Sequence, residues 1–90
     1  MANEPNTSGA PNMDAPVKLF WDFFGPHAER TASHFKTHLE QFLTQHSLVG
    51  LVTGMETSQP GHHATYCVAQ GDALQKLKAS LRPNRALPVE

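Results

Sequence analysis

The stretch VKLFWDFFGPHAERTASHFKTHLEQFLTQHS, from Val17 to Ser47, decides the fold, because it joins a strand pattern directly to a long helical pattern. Residues 17–24 alternate between a wholly apolar set and a mixed set, which is typical of a β-strand. Phe20 and Phe24 make the mixed set unusually apolar. This indicates a strand that is covered on both faces.

A long amphipathic helix is predicted after this strand. Gly25 and Pro26 end the strand, and Pro26 suits the first helical position, where its missing N–H costs nothing. Glu29 would lie in the first turn, where the helix dipole favours a negative charge. Apolar side chains recur at helical spacing and form one stripe that is expected to face the core: Ala28, Ala32, Phe35, Leu39, Phe42, Leu43 and His46.

A β-hairpin is predicted next. Its first strand is expected at about residues 49–57, with Gly50 and Gly54 on one face that approaches a helix closely or contains a bulge. Gln59-Pro60-Gly61 is typical of a turn. Its second strand is expected at residues 62–70, with His62, Ala64, Tyr66 and Val68 on one face and His63, Thr65, Cys67 and Ala69 on the other.

A second, shorter helix is predicted after the hairpin. Asp72 suits its N-cap position, and Gln75 completes a capping-box pattern. Leucines repeat at helical spacing beyond it, and Pro83 is expected to end the helix. Residues 86–89 are a candidate for a short last strand, in which Pro88 would be tolerated at a sheet edge.

The order of these elements, β-α-β-β-α with a candidate final β, predicts an α+β protein. It is the order of the ferredoxin-like fold, an antiparallel sheet with two helices on one face. The first and third strands are expected in the middle of the sheet. Because this fold hosts many functions, the element order alone does not define one.

The length of 90 residues is suited to one domain. Residues 1–15 are rich in Pro, Asn and Ala and are expected to form a disordered tail, which leaves 16–90 for the domain. No signal peptide, transit peptide or membrane span is recognisable, so we expect a cytoplasmic protein with no membrane partner. The single cysteine, Cys67, excludes an internal disulfide and a cysteine-based zinc framework.

Charge and apolar patterning indicate what the chain binds. Seven basic and eight acidic residues provide no field that would attract nucleic acid. A sheet with both helices on one side leaves its other face exposed, and either face of the first strand is too apolar for water. We therefore expect a homodimer through that face, or else a small apolar ligand or a different protein partner. The candidate ligand-binding residues are Phe20, Asp22, Phe24 and Tyr66.

The six histidines include a candidate metal site. His34 and His38 are four residues apart on the predicted helix, a spacing that lets two imidazoles bind one metal ion. His62 and His63 could supply a further ligand. Nitrogen ligands favour zinc, copper or nickel, so a divalent transition metal such as zinc is the candidate cofactor. The alternative is that these histidines are ordinary residues at the edge of the core.

No catalytic constellation is recognisable in the sequence, which favours a non-enzymatic, dimeric binding or regulatory module. Two alternatives stay open. One is a small enzyme with a histidine-based site, in which His34 or His38 acts as general base in the groove between helix and sheet or at the dimer interface. The other is a metal-binding module that uses the histidines named above.

Overall fold

The computed structural model of the chain describes residues 15–48 and 50–89. Within these residues the fold is α+β, with two helices and one four-stranded sheet. The predicted tail lies almost wholly outside the described residues. The elements, in chain order, are β1 (Val17–Phe24), α1 (Ala28–Gln45), β2 (Val52–Gln59), β3 (His62–Ala69), α2 (Gly71–Leu81) and β4 (Arg85–Pro88).

All neighbouring strands of the sheet are antiparallel, in the order β2-β3-β1-β4. The two central strands are therefore β1 and β3, the strands that are most buried along the chain. The candidate last strand is present, one residue earlier than predicted, and pairs with β1 at the sheet edge. Pro88 lies at its end, where a missing N–H is tolerated.

The core consists of side chains from one face of β1 and β3 and from both helices. Phe35 of α1 packs against it, with its ring centroid 5.1 Å from that of Trp21. The indole N–H of Trp21 donates to the carbonyl of Leu81 at the end of α2, at 2.8 Å. The core residues are Leu19, Trp21, Leu39, Leu43, Cys67, Ala69, Leu74 and Leu77. Of the predicted apolar stripe of α1, the alanines and leucines are buried, and Phe35 and Phe42 are partly buried against the core. His46 is exposed and lies beyond the helix.

The turn between β1 and α1 is longer than predicted. Gly25 has φ +103°, a conformation that favours glycine, and its N–H donates to the carbonyl of Gly61 at 2.8 Å. Pro26 lies in this turn rather than in the helix, which begins at Ala28. The predicted helix start was therefore two residues too early.

The start of α2 also differs from the prediction. The helix begins at Gly71, so Asp72 lies in the first turn and Gln70 occupies the N-cap position. No side-chain hydrogen bond caps this end, and the predicted capping box of Asp72 and Gln75 is wrong. Asp72 still lies where the helix dipole favours a negative charge.

The first hairpin strand is displaced relative to the prediction. β2 begins at Val52, and Gly50 lies in the preceding turn with φ +85°. Only Gly54 of the two glycines is therefore in the strand. It lies against Tyr66 of β3, not against a helix, and its absent side chain makes room for that ring. The strand contains an irregularity between Glu56 and Gln59.

Candidate functional site

The four predicted ligand-binding residues share one face of the sheet. Phe20, Asp22 and Phe24 alternate along β1, and Tyr66 of β3 lies directly opposite Phe20. The centroids of the Phe20 and Tyr66 rings are 6.4 Å apart. We call this surface the Asp22 face. It comprises the side chains of Lys18, Phe20, Asp22 and Phe24 and those opposite them, which are His62, Ala64, Tyr66, Val68, Val52, Gly54, Glu56, Arg85 and Leu87.

The carboxylate of Asp22 lies at the centre of a hydrogen-bond network on this face. Arg85 donates to both carboxylate oxygens, from Nε to Oδ2 at 2.8 Å and from Nη2 to Oδ1 at 2.7 Å. Nε2 of His62 is 2.8 Å from Oδ1. The backbone N–H of Asp22 donates to Oδ1 of Asn84 at 2.7 Å, which fixes the chain just before β4. Both side chains of the Asp22–His62 pair are largely buried.

The two donors keep Asp22 ionised. The hydrogen bonds from Arg85 lower the pKa of Asp22, and the hydrogen bond from His62 lowers it further, while burial opposes them. The same contact raises the pKa of Arg85. The hydrogen-bonding capacity of this largely buried carboxylate is therefore met by protein donors.

The ionised carboxylate also fixes the tautomer of His62. A carboxylate only accepts hydrogen bonds, so the proton of a neutral imidazole must lie on Nε2. Nδ1 is then left with a lone pair, and the hydroxyl of Ser58 lies 2.6 Å from it. In the neutral form of His62, Ser58 therefore donates to Nδ1, and Nε2 donates to Asp22. This is the hydroxyl–imidazole–carboxylate order of serine hydrolases, with the two ring nitrogens exchanged.

Two cations cover the central aromatic rings of the Asp22 face. The guanidinium of Arg85 lies 4.1 Å from the centroid of Phe20, and Nζ of Lys18 lies 4.2 Å from that of Tyr66. Lys18 also pairs with Glu56. Phe20 is consequently only 3% exposed. The hydrocarbon stems and flat guanidinium shield the ring from water while their charges remain near the surface.

The ends of the same face remain apolar and exposed. Phe24 is 72% exposed, although its ring lies 4.9 Å from that of His62. At the opposite end of the strands, Val52 is 59% and Leu87 48% exposed. The face thus has a polar, hydrogen-bonded centre between two apolar ends.

The four histidines predicted as metal ligands fall into three separate places. His34 and His38 adjoin each other on α1, with their Nε2 atoms 3.0 Å apart. His62 belongs to the Asp22 network, and Nδ1 of His63 is 2.8 Å from the hydroxyl of Thr57. Within residues 15–48 and 50–89, no three His, Cys, Asp or Glu side chains form a group able to hold a metal ion.

The thiol of Cys67 has no features of a nucleophile. It is fully buried in the core, and burial raises the pKa of Cys67 to about 11. A thiol in this environment stays protonated at neutral pH, and the thiolate is the reactive form. Cys67 therefore acts as a small core residue.

Three residues of the hydrogen-bond network around Asp22 were not expected from the sequence, namely Arg85, Ser58 and Asn84. The position of Asp22 in a strand of aromatic residues indicates a buried carboxylate that requires a positively charged partner. The sequence around Asp22 does not identify Arg85 as that partner. Ser58 lies within the irregular part of β2, where the register shifts. Such irregularities change the direction of side chains, so a regular two-residue alternation does not predict on which face Ser58 lies.

The structure therefore defines a small α+β protein whose antiparallel sheet has a carboxylate-centred polar network on one face. No helix within the described residues is long and apolar enough to cross a membrane. Comparison of the chain with known protein families, with curated proteins and with solved structures finds no match in any of the three.

Proposed function

We propose that the chain has a ferredoxin-like fold and acts as a dimeric binding or regulatory module through the Asp22 face. The strand order β2-β3-β1-β4 and the element order support the fold. In this arrangement both helices cover the opposite face, so the Asp22 face is available to a partner. We place the protein in the cytoplasm, since its one cysteine is a free thiol.

The observation on which this proposal rests is the exposure of Phe24, Val52 and Leu87 on one sheet face. Large apolar side chains gathered on one surface usually mark an interface. Val52 and Leu87 lie on either side of Lys18, at the start of β1. Phe24 is six residues further along β1, which places it about 20 Å from both at roughly 3.3 Å per residue. The two apolar ends are far apart within one copy.

A second copy of the chain fits this surface best. A twofold axis across the strands places Phe24 of one copy over Val52 and Leu87 of the other. Ion pairing on the face is balanced, with Lys18 and Arg85 beside Glu56 and Asp22. A balanced surface favours a self-complementary partner over nucleic acid, which needs a basic surface. A chain of this size also has a small core, which dimerisation would enlarge.

Sedimentation velocity over a range of concentrations tests the dimer. We expect the parent protein to shift from monomer to dimer as concentration rises, and Phe24→Glu to remain a monomer. Because Phe24 is 72% exposed, we expect this substitution to leave the fold intact, which circular dichroism can check. Gln45→Glu, which makes the same charge change at the exposed end of α1, is the matched control and should dimerise normally. A parent protein that stays monomeric throughout would refute the dimer and favour a small apolar ligand or another protein on this face.

A small enzyme is the second candidate, and the Ser58–His62–Asp22 chain favours it. His62 replaces His34 and His38 as candidate general base, because it contacts both a hydroxyl and a carboxylate. Oγ of Ser58 would attack an ester carbonyl while Nδ1 of His62 takes its proton. The imidazolium would return that proton to the departing alkoxide, and water would then release the acid from the acyl-serine by the same steps.

Acylation by p-nitrophenyl acetate distinguishes this enzyme from a binding module. The enzyme hypothesis requires a burst of p-nitrophenol, an acetyl group on the Ser58 peptide in mass spectrometry, and loss of both in Ser58→Ala. Ser80→Ala, which removes an exposed hydroxyl from α2, is the control. Equal hydrolysis by the parent and by Ser58→Ala would reject the enzyme without affecting the sedimentation result.

A further inference from the structure

The His34–His38 pair on α1 is separate from the Asp22 face and has the geometry of half a metal site. The two Nε2 atoms face each other at 3.0 Å, and the rings are nearly perpendicular with centroids 4.5 Å apart. Both side chains are exposed, so an ion can reach them from solvent. One Nε2 atom donates a hydrogen bond to the other, so a bound metal ion would take the place of the proton that the two nitrogens share.

This separation is close to the value that a metal ion requires. Two ligands at about 2.05 Å from a tetrahedral ion are about 3.3 Å apart. The observed Nε2–Nε2 distance of 3.0 Å differs from this by a few tenths of an ångström. Small rotations of two exposed side chains suffice to open the gap, and the helix backbone need not change.

We propose that His34 and His38 form a two-histidine clamp that binds one divalent transition-metal ion per chain, with water completing the coordination. His62 and His63 take no part, because both lie on β3 and, among the described residues, neither forms a metal-binding group with the pair on α1. The clamp thus revises the predicted four-histidine site to two ligands on a single helix. It does not depend on the dimer, which uses the other side of the molecule.

The clamp selects among ions by ligand type and charge. Imidazole nitrogens bind copper most tightly, zinc and nickel less tightly, and magnesium or calcium hardly at all.

Arg30 lines the same surface depression as His34, together with Glu29. The positive charge of Arg30 opposes a cation, so replacing it with a neutral residue should tighten binding.

Titration with Zn²⁺, followed through the histidine ring resonances, tests the clamp. We expect the resonances of His34 and His38 to shift together, with one ion bound per chain by calorimetry. His38→Ala should weaken binding by roughly tenfold or more, since one of two ligands is lost. Cu²⁺ should bind more tightly than Zn²⁺, and Mg²⁺ should cause no shift. Arg30→Gln should bind Zn²⁺ more tightly than the parent.

His27→Ala is the matched control, because it removes another exposed imidazole next to the same helix and is expected to leave Zn²⁺ affinity unchanged. His38→Ala is expected to fold, since alanine favours helix at an exposed position. Zn²⁺ should raise the melting temperature of the parent and not that of His38→Ala. Equal affinity of parent and His38→Ala, or uniform weak shifts of all six histidines, would overturn the proposal and leave adventitious binding only.

Discussion

The carboxylate of Asp22 orders the face on which it lies, because Arg85 and His62 both donate to it from different strands. It thereby connects β1, β3 and β4 through side chains as well as through the backbone. A partly buried carboxylate with these donors is more stable as an anion in the folded chain than in the unfolded one. The network therefore makes stability depend on pH.

The direction of that dependence follows from the lowered pKa of Asp22. The ordinary pKa of this carboxyl is 3.8, and its value in the fold lies below that. Above pH 3.8 its contribution to the free energy of unfolding is fully present, and it is lost as the pH falls through the lower native pKa. Urea unfolding at several pH values should show this loss in the parent and a shallower one in Asp22→Asn. Parallel curves for the two proteins would show that the network contributes no such stability.

Gly54 is a second residue whose identity the structure explains. A Cβ atom at this position would lie 2.6 Å from Cζ of Tyr66, which is closer than side chains pack. Gly54→Ala should therefore displace the Tyr66 ring and lower the free energy of unfolding by about 1–3 kcal/mol. In a Tyr66→Ala background the same substitution should cost little, because the obstructing ring is gone. Equal costs in the two backgrounds, measured by urea unfolding, would contradict this contact.

Among the elements, α1 contributes the largest apolar side chains that the core takes from a helix. Leu39 is fully buried beside the central strands. Leu39→Ala should lower the free energy of unfolding by about 2–5 kcal/mol, since it removes buried methylene groups and leaves a cavity. Val89→Ala, at an exposed position after β4, should change it by less than about 0.5 kcal/mol. Both can be followed by the fluorescence of Trp21, and similar losses for the two would contradict the described packing.

The elements were predictable where side-chain periodicity is strong and displaced where local turns compete with it. β1, the body of α1 and β3 follow from alternation and helical spacing in the sequence. The starts of α1 and α2 do not, because Pro26 and Asp72 are compatible with two neighbouring positions and long-range packing selects one. β2 begins late because Gly50 forms a turn, which alternation alone does not reveal.

At the scale of the whole molecule, the sequence indicated two apolar faces of β1 without showing which one meets the helices. The structure buries the face of Leu19 and Trp21 in the core. Phe20 and Phe24 occupy equivalent positions in the alternation, but Phe20 is buried and Phe24 is exposed, because Arg85 covers only the ring of Phe20. No sequence pattern predicts that contact. The clustering of the four predicted ligand-binding residues follows from strand alternation and pairing. Their partners Arg85 and Ser58 depend on tertiary structure.

Intermolecular contact across the Asp22 face can be measured directly by isotope-filtered nuclear Overhauser spectroscopy. A mixture of labelled and unlabelled chains would be examined at a concentration where sedimentation shows association. We expect contacts between the Phe24 ring and the methyl groups of Val52 or Leu87. These groups lie at opposite ends of the sheet in one copy, so such a signal must come from two copies. Intermolecular signals confined to α1, or none at all, would contradict a dimer formed through this face.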